Sequence, residues 1–446
     1  MCAALAAREA GAFVTVLERA PKPFRGGNTR HTRNLRTLHT VGDGFVTGPY
    51  LFDEFYRDLV EVTGEQINQE LAGITIRESG TLIPWMMANG ARWQAPLKGT
   101  LSLSRTNHFF LGGGKSLLNA YYRTAVDRGI AAHYEATVVG LEMSGDRCIG
   151  VRVSFGEADP VFLEADAVVV AAGGFEANRD WLREGWGEAA DTLIVRGTRY
   201  NDGTMLRLLI DAGAQTVGDP KGAHAIAVDA RAPAYDAGII TRLDALPIGI
   251  AVNRNAQRFS DEGADIWPKR YASWGRLIAQ QPGNIAYALY DVKVADQTIP
   301  GLYPPLVADT IAELATQLGL DPAALHATVE AFNAGCRLGC RFDLADTDEC
   351  GTNGLTPPKS NWARPLDMPP FHGYPLRTGI TFTYMGAAVD ASARVRTARG
   401  TFVNLFAAGE IMAGNILTRG YLAGFGMTIG SVWGRIAGRE AAACSD

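Results

Sequence analysis

Three apolar runs that close on small or acidic residues carry the clearest chemistry in this sequence. AFVTVLE (12–18) is a short apolar run that ends on Glu18. ADAVVVAAGGF (165–175) ends on small residues that include Ala172 and Gly173, and GTFVNLFAAGE (400–410) repeats strand, small residues and acid, ending on Glu410. A carboxylate at the end of a buried strand is an acceptor for ribose hydroxyls, and paired glycines let backbone approach a phosphate. That chemistry is dinucleotide binding. In such folds the acid follows a G-x-G-x-x-G loop by roughly 20 residues. Counting back from Glu18 puts the loop at or before Met1, so the chain is expected to begin after its first phosphate-binding loop. A strand-end charge without a ligand is the alternative for Glu18.

The cysteines pose a second question. Cys336, Cys340 and Cys350 suggest zinc, but they lack a paired CxxC and a clear fourth ligand, and no metal site is expected. With Cys2, Cys148 and Cys444 they scatter over a long chain and read as reduced thiols of a cytoplasmic protein.

The elements that would hold these residues follow from local pattern. AALAAREA (3–10) is rich in helix formers, and Gly11 is placed to cap it. With the strand ending on Glu18, it forms the second half of a βαβ unit. From about 223 to 377 the pattern changes to amphipathic helices such as 309–319 and 322–336, followed by a proline-rich extended return over 343–375. The αβ pattern resumes near 378. The expected fold is α/β: a dinucleotide-binding, Rossmann-like domain of residues 1–222 and 378–446, with an inserted α+β capping domain at 223–377. The 446 residues are 47% hydrophobic and 20% charged, with a net charge of −5. No basic, aromatic-interleaved tract suggests nucleic acid, no apolar run is long enough to span a bilayer, and the apolar start is too short for a signal peptide.

Longer stretches carry a resemblance. GGNTRHTRN (26–34) after VLERAPKPFR, AAGGF (171–175), LFAAGE (405–410) and RGYLAGFGMTIGSVWGRIAGREAA (419–442) occur in the order seen in fumarate reductase/succinate dehydrogenase flavoproteins, which this chain resembles over nearly its whole length. RTNHFFLGGGKSLLNAYYR (105–123), SDEGADIWPKRYASWGRLIAQQP (260–282) and NILTRGYLAGFGMTIG (415–430) resemble the tricarballylate-oxidising branch of that family. The resemblance implies FAD, bound noncovalently. His31 lies in a stretch similar to one whose histidine is flavin-linked in succinate dehydrogenases, but aligning the glycines puts that histidine nearer Asn28. It implies cofactor contacts from Glu18, Gly26, Gly27, Asn28, Thr29, the backbone of Val138, Ala172, Gly173 and Glu410. Gly424, Gly426, Met427 and Thr428, at the start of the last helix, complete the set.

The implied reaction removes hydrogen from a carbon–carbon single bond beside carboxylates, turning tricarballylate into cis-aconitate. Fixed cations in a dry site stabilise the enolate-like charge that develops. By resemblance Arg270 is the proton-transfer residue, although a guanidinium is normally never deprotonated, and carboxylate binding is its less demanding role. Arg419, His224, Thr383 and Tyr384 match substrate positions. Thr383 stands where fumarate reductases carry histidine, and Arg242 and Ala245 stand where they place a Glu and an Arg of a proton relay. That loss disfavours fumarate reduction, and Arg242, with Arg105, is free to serve a third carboxylate. A separate membrane-associated redox protein is the implied electron acceptor, since no haem CxxCH or iron–sulfur pattern is present. The rivals are a fumarate reductase-like enzyme, a ketosteroid dehydrogenase-like flavoenzyme using a tyrosine acid/base, and a non-catalytic remnant that holds FAD weakly for want of the first loop.

Overall fold

Helix-forming residues at the start of the chain fold as the helix Cys2–Glu9, whose N-cap residue, Met1, makes no side-chain cap. Its buried face, Ala4 to Ala7, packs on the C-terminal helix Phe425–Ala442. Close packing of the two depends on glycine. A Cβ on Gly438 would lie 2.3 Å from the carbonyl oxygen of Ala3, a backbone atom that no rotamer change can move. The computed structural model describes residues 1–64, 66–96, 102–243, 246–264, 271–297, 301–337, 339–343 and 347–444.

Two groups of short parallel strands follow the expected αβ pattern. β1 (Thr15–Glu18) lies parallel to β4 (Ala131–Tyr134), with the helix Gly113–Asp127 preceding β4. β8 (Val168–Val170) lies parallel to β18 (Gly400–Ala407), which also pairs antiparallel with β17 (Arg394–Thr397). Between β4 and β8 the chain forms an antiparallel meander of β5 (Ala136–Ser144), β6 (Arg147–Phe155) and β7 (Val161–Glu164). The strands at 15–18 and 168–170 are shorter than the apolar runs that announce them, and Phe13 is fully exposed. Two small pairs complete this region: β2 (Asn34–Arg36) with β3 (Asn107–Phe109), and β10 (Thr216–Val217) with β16 (Gly386–Ala387).

A six-stranded sheet forms the other region, from β9 (Ile194–Val195), β11 (Ala223–Asp229), β12 (Ile250–Asn253), β13 (Ala286–Asp291), β14 (Leu306–Ala308) and β15 (Phe371–Thr383). β15 is its spine, antiparallel to β11, β13 and β14 and parallel to β9. One face buries Ile250, Val252 and Leu289 against the helices Ile311–Leu318 and Pro322–Gly335 through Leu314, Leu325 and Phe332. β15 runs unbroken through residue 378, where the sequence placed the return to the first region, because its β-pairing continues to Thr383.

One expectation is corrected. Cys340 and Cys350 are joined as a disulfide, with Cα atoms 5.6 Å apart, rather than standing as free thiols. Asp348 accepts from the N–H groups of Asp343 and Cys350, drawing the two ends of the segment between the cysteines together, an approach that spacing along the chain does not reveal. Cys2, Cys148, Cys336 and Cys444 are free. Among the described residues no helix is long and apolar enough to cross a membrane.

The helix crossing gives a direct test. Gly438→Val should lower stability by about 1–3 kcal/mol, the usual range for overpacking, read as a lower urea midpoint. An unchanged midpoint would mean that the two helices part without loss.

Candidate active site

The first part of the site is the turn after β1. Glu18 accepts hydrogen bonds from the Ala20 N–H at 2.9 Å and the Gly26 N–H at 2.8 Å, so its carboxylate folds residues 19–26 back over the strand end. Gly26 takes φ +95°, a conformation that costs a side-chain-bearing residue energy but not glycine. The short helical turn Gly27–His31 that follows contains Asn28 and Thr29 and packs on the start of the helix Gly113–Asp127. Asn28 is a junction. Its Oδ1 accepts from the Thr198 N–H at 2.9 Å, and its Nδ2 donates to the Thr381 carbonyl at 2.8 Å and to the carboxylates of Glu176 and Glu410.

Those two carboxylates form the second part. Glu176 is wholly buried just after the turn that contains Ala172 and Gly173, and Glu410 is part-buried after β18. Glu410 accepts from the Thr383 N–H at 3.0 Å, and Glu176 accepts from Asn201 Nδ2 at 2.8 Å. Burial raises the pKa of both acids, and the charge of Glu176 raises that of Glu410 further. Of the two, Glu410 is the one whose protonated form is favoured more. Glu176 Oε2 is buried without a fixed hydrogen-bond donor.

The third part is cationic and aromatic. The register of β11 on β15 sets His224 opposite Phe382, next to a β-bulge at Ala225. His224 is buried, with its ring stacked on Tyr421 at 4.1 Å and edge-on to Tyr271 at 5.6 Å. Burial, and then the charges of Arg196 and Arg242, hold its imidazole neutral, well below the usual histidine range. Its Nδ1 has no hydrogen-bond partner. Arg196 is buried and donates to Thr381 Oγ1 at 2.8 Å, and Arg242 lies over the Tyr271 ring at 5.4 Å. Burial raises the pKa of Tyr271, while Arg242, Arg196, Arg36 and Arg33, in that order, oppose the rise. Four guanidiniums thus act on one buried phenol.

The C-terminal helix closes the site. Gly424 caps it, and the Gly426 N–H in its first turn donates to Tyr421 Oη at 3.1 Å. Thr428 Oγ1 donates to the Arg36 carbonyl, and Arg36 Nε and Asn107 Nδ2 both donate to the Ala423 carbonyl, at 3.2 and 2.7 Å. Met427 packs on the main core. The positive end of an 18-residue helix therefore faces Tyr421 and the cationic group.

The structure brings Asn28, Thr383 and Glu410 together and joins them to Arg196 through Thr381. Val138 pairs with Val153 beside a bulge in β5 and packs in a small cluster with Leu17. Tyr384 is buried and donates to the Gly420 carbonyl. Two expected cations have other partners. Arg105 forms an ion pair with Glu54 and donates to the Pro49 carbonyl, and the exposed Arg419 donates to the Thr63 carbonyl at 3.1 Å. His31 is paired with Asp236 at 2.9 Å. Arg270 and Ala245 lie outside the described residues. Sequence reasoning missed Arg36, Glu176, Arg196, Asn201, Tyr271 and Tyr421 as members of the group. Tyr421 sits within a motif singled out above, but nothing in spacing ties it to His224.

The family of proteins described as FAD binding domain matches residues 1–424. The chain belongs to that family. It is an FAD-dependent oxidoreductase. It is similar to a probable fumarate reductase, Ifc3, of Shewanella frigidimarina, at 25% identity over 99% of this chain and 72% of that protein. It is also similar to 4-oxocyclohex-2-ene-1-carboxylate 5-dehydrogenase of Sinomonas cyclohexanicum, at 28% identity over 74% of this chain and 60% of that protein. In fold it matches the open conformation of a flavocytochrome c3 fumarate reductase, with a TM-score of 0.78 and 23% identity over 100% of this chain and 76% of that one. The residues present fit FAD: Glu176 and Glu410 place carboxyl groups, hydrogen-bonded through Asn28, beside the turn that contains Ala172 and Gly173, acceptors suited to a polyol.

The carboxyl pair makes the flavoprotein's stability pH-dependent with a definite sign. A folded pKa raised above the unfolded value contributes stability that is fully present below about pH 4.5 and is lost as pH rises through the folded value. Glu410→Gln, which removes that loss, should raise the melting temperature of the cofactor-free protein at pH 7 and change it less at pH 4.5. A larger gain at pH 4.5 would reverse the assignment of the proton.

Proposed function

We propose that this flavoprotein dehydrogenates a carbon–carbon single bond flanked by carboxylates in a small polycarboxylate, most specifically tricarballylate to cis-aconitate. The observation that carries the reading is the placement of buried Arg196, bonded to Thr381, and of Arg242 over the Tyr271 ring, beside the buried His224 stacked on Tyr421. Desolvated guanidiniums bind carboxylates in bidentate geometry, and several together suit a substrate with more than one. FAD, when bound, supplies the two-electron acceptor, held noncovalently by Glu18, Gly26, Gly27, Asn28, Thr29, Val138, Ala172, Gly173, Glu410 and the turn Gly424–Thr428.

The chain's own groups would then divide the work. Arg196, fixed by Thr381, orients one carboxylate, and Arg242 takes another. His224 Nδ1, neutral and without a partner, hydrogen-bonds a third oxygen or carbonyl. Burial of this group excludes water and strengthens each charge interaction. Arg270 is the proposed acceptor of the proton from the carbon next to a carboxylate, a role resting on its family resemblance. The substrate would lie between the FAD-binding part, 1–222 and 378–446, and the capping part, 223–377, with a separate redox protein as electron acceptor.

A second reading has one specific observation in its favour. The Gly426 N–H, at a helix N-terminus, donates to Tyr421 Oη, which leaves the phenol's own hydrogen to be given to an enolate oxygen formed from a ketone. The similar Sinomonas protein is named for a substrate with both a ketone and a carboxylate.

Comparing kcat/KM for tricarballylate, succinate and 4-oxocyclohexanecarboxylate on the FAD-loaded protein with an artificial acceptor separates the readings. The expected order has tricarballylate first. Preference for the keto acid would move the assignment to the second reading. Arg242→Ala should lower kcat/KM for tricarballylate by about ten- to a hundredfold, as for loss of a charge-assisted contact, and affect succinate less. Arg270→Ala should reduce kcat severely while leaving the flavin spectrum intact, and near-normal turnover would remove Arg270 from the mechanism.

A further inference from the structure

A second concentration of positive charge lies outside the group described above. A cavity of about 200 Å³ opens beside the turn that follows β1, with Lys22, Arg25, Arg30, Lys115, Leu118 and Asn119 in its wall. Four of these are cations, in a chain whose net charge is −5. None of the described residues lining the cavity is acidic. Glu18 is close in the chain, but both its oxygens are engaged by the backbone N–H groups of Ala20 and Gly26, and it does not line the cavity.

The two guanidiniums are set in place by packing. Arg25 stacks over Tyr122 at 4.6 Å and donates to Asn119 Oδ1 at 2.8 Å and to the Lys22 carbonyl at 2.9 Å. Arg30 lies over the Phe24 ring at 5.1 Å. Each nevertheless leaves one nitrogen, Arg25 Nε and Arg30 Nη1, buried without an acceptor. A charged donor taken from water without a partner is unfavourable. Lys115 adds an independent anomaly. It stands in the first turn of the 15-residue helix Gly113–Asp127, which has no acid there, so its charge opposes the helix dipole instead of complementing it. Packing fixes the two guanidiniums but leaves the positive charge of all four side chains without an acidic partner in the cavity wall, and an anion in the cavity would balance it.

We propose that this cavity binds a phosphate or pyrophosphate group of a ligand other than the bound FAD. Two pre-oriented guanidiniums offer planar donors to phosphate oxygens, two flexible ammoniums follow as point charges, and the helix end adds backbone dipoles. The concave form and small volume fit a compact polyanion better than a protein surface. None of the residues assigned above to the cofactor lines the cavity.

The test is calorimetric titration of inorganic pyrophosphate into the 446-residue protein, first without and then with FAD added. Binding is expected in both, weakening at high salt and falling about tenfold or more in Lys22→Ala and in Lys115→Ala, the scale of one lost charge-assisted contact. Both lysines are exposed, so these variants leave the packing intact. Arg30→Lys, which keeps the charge but loses the fork, should give an intermediate loss. FAD affinity, followed separately by flavin fluorescence, should be unchanged in the two lysine variants. Absence of pyrophosphate binding would overturn the proposal, and so would its competitive loss on adding FAD together with weaker FAD affinity in the lysine variants. The titration without FAD stays readable whatever the substrate of the flavoprotein proves to be.

Discussion

A charge removed from water must be paired or hydrogen-bonded, and this requirement organises the interior of the flavoprotein. Glu176, Glu410, Arg196 and His224 all lie in or against its core, and the last three residues of β15 make that possible. Thr381 accepts from Asn28 through its carbonyl and from Arg196 through its hydroxyl, while Thr383 donates its N–H to Glu410. Phe382, between them, faces Tyr421. Alternation along one strand thus brings the carboxyl pair and the cationic group to the same place.

The two charge groups are tuned in opposite ways by the same burial. Desolvation favours the neutral form of each titratable member, raising the pKa of Glu410 and lowering that of His224. The arginines remain charged because a guanidinium does not give up its proton at any ordinary pH. The result is a buried surface whose positive charge is fixed and whose negative charge is partly neutralised. Such a surface attracts anions, consistent with carboxylate chemistry. The end of the C-terminal helix reinforces it, and that helix can reach this position because Gly438 lets it lie against the backbone of Ala3.

Much of the local structure was legible in the sequence. The helices at 2–9, 311–318 and 322–335, and the strands ending near Glu18, Ala172 and Glu410, follow propensity, periodicity and the placement of glycine. The family followed from the order of three glycine-rich motifs. Less legible were the pairings. The expectation that six cysteines stand free failed at Cys340 and Cys350, because Asp348 draws together the ends of the segment between them. Arg105, singled out as a cation beside a suggestive motif, is engaged by Glu54, a partner supplied by a helix about fifty residues away in the chain.

By itself the sequence determined the kinds of element, the glycine turns and the acids Glu18 and Glu410, since each depends on residues within a few positions. Only the tertiary structure decided that Glu410 meets Glu176, that Arg196 and Arg242 face His224, and that Tyr421 stacks on that ring. These contacts join residues from distant parts of the chain. The place of His224 among them is set by the register of β11 on β15, where a shift of one residue would turn every side chain to the other face. That register is a property of the whole packed sheet, and no short stretch of sequence encodes it.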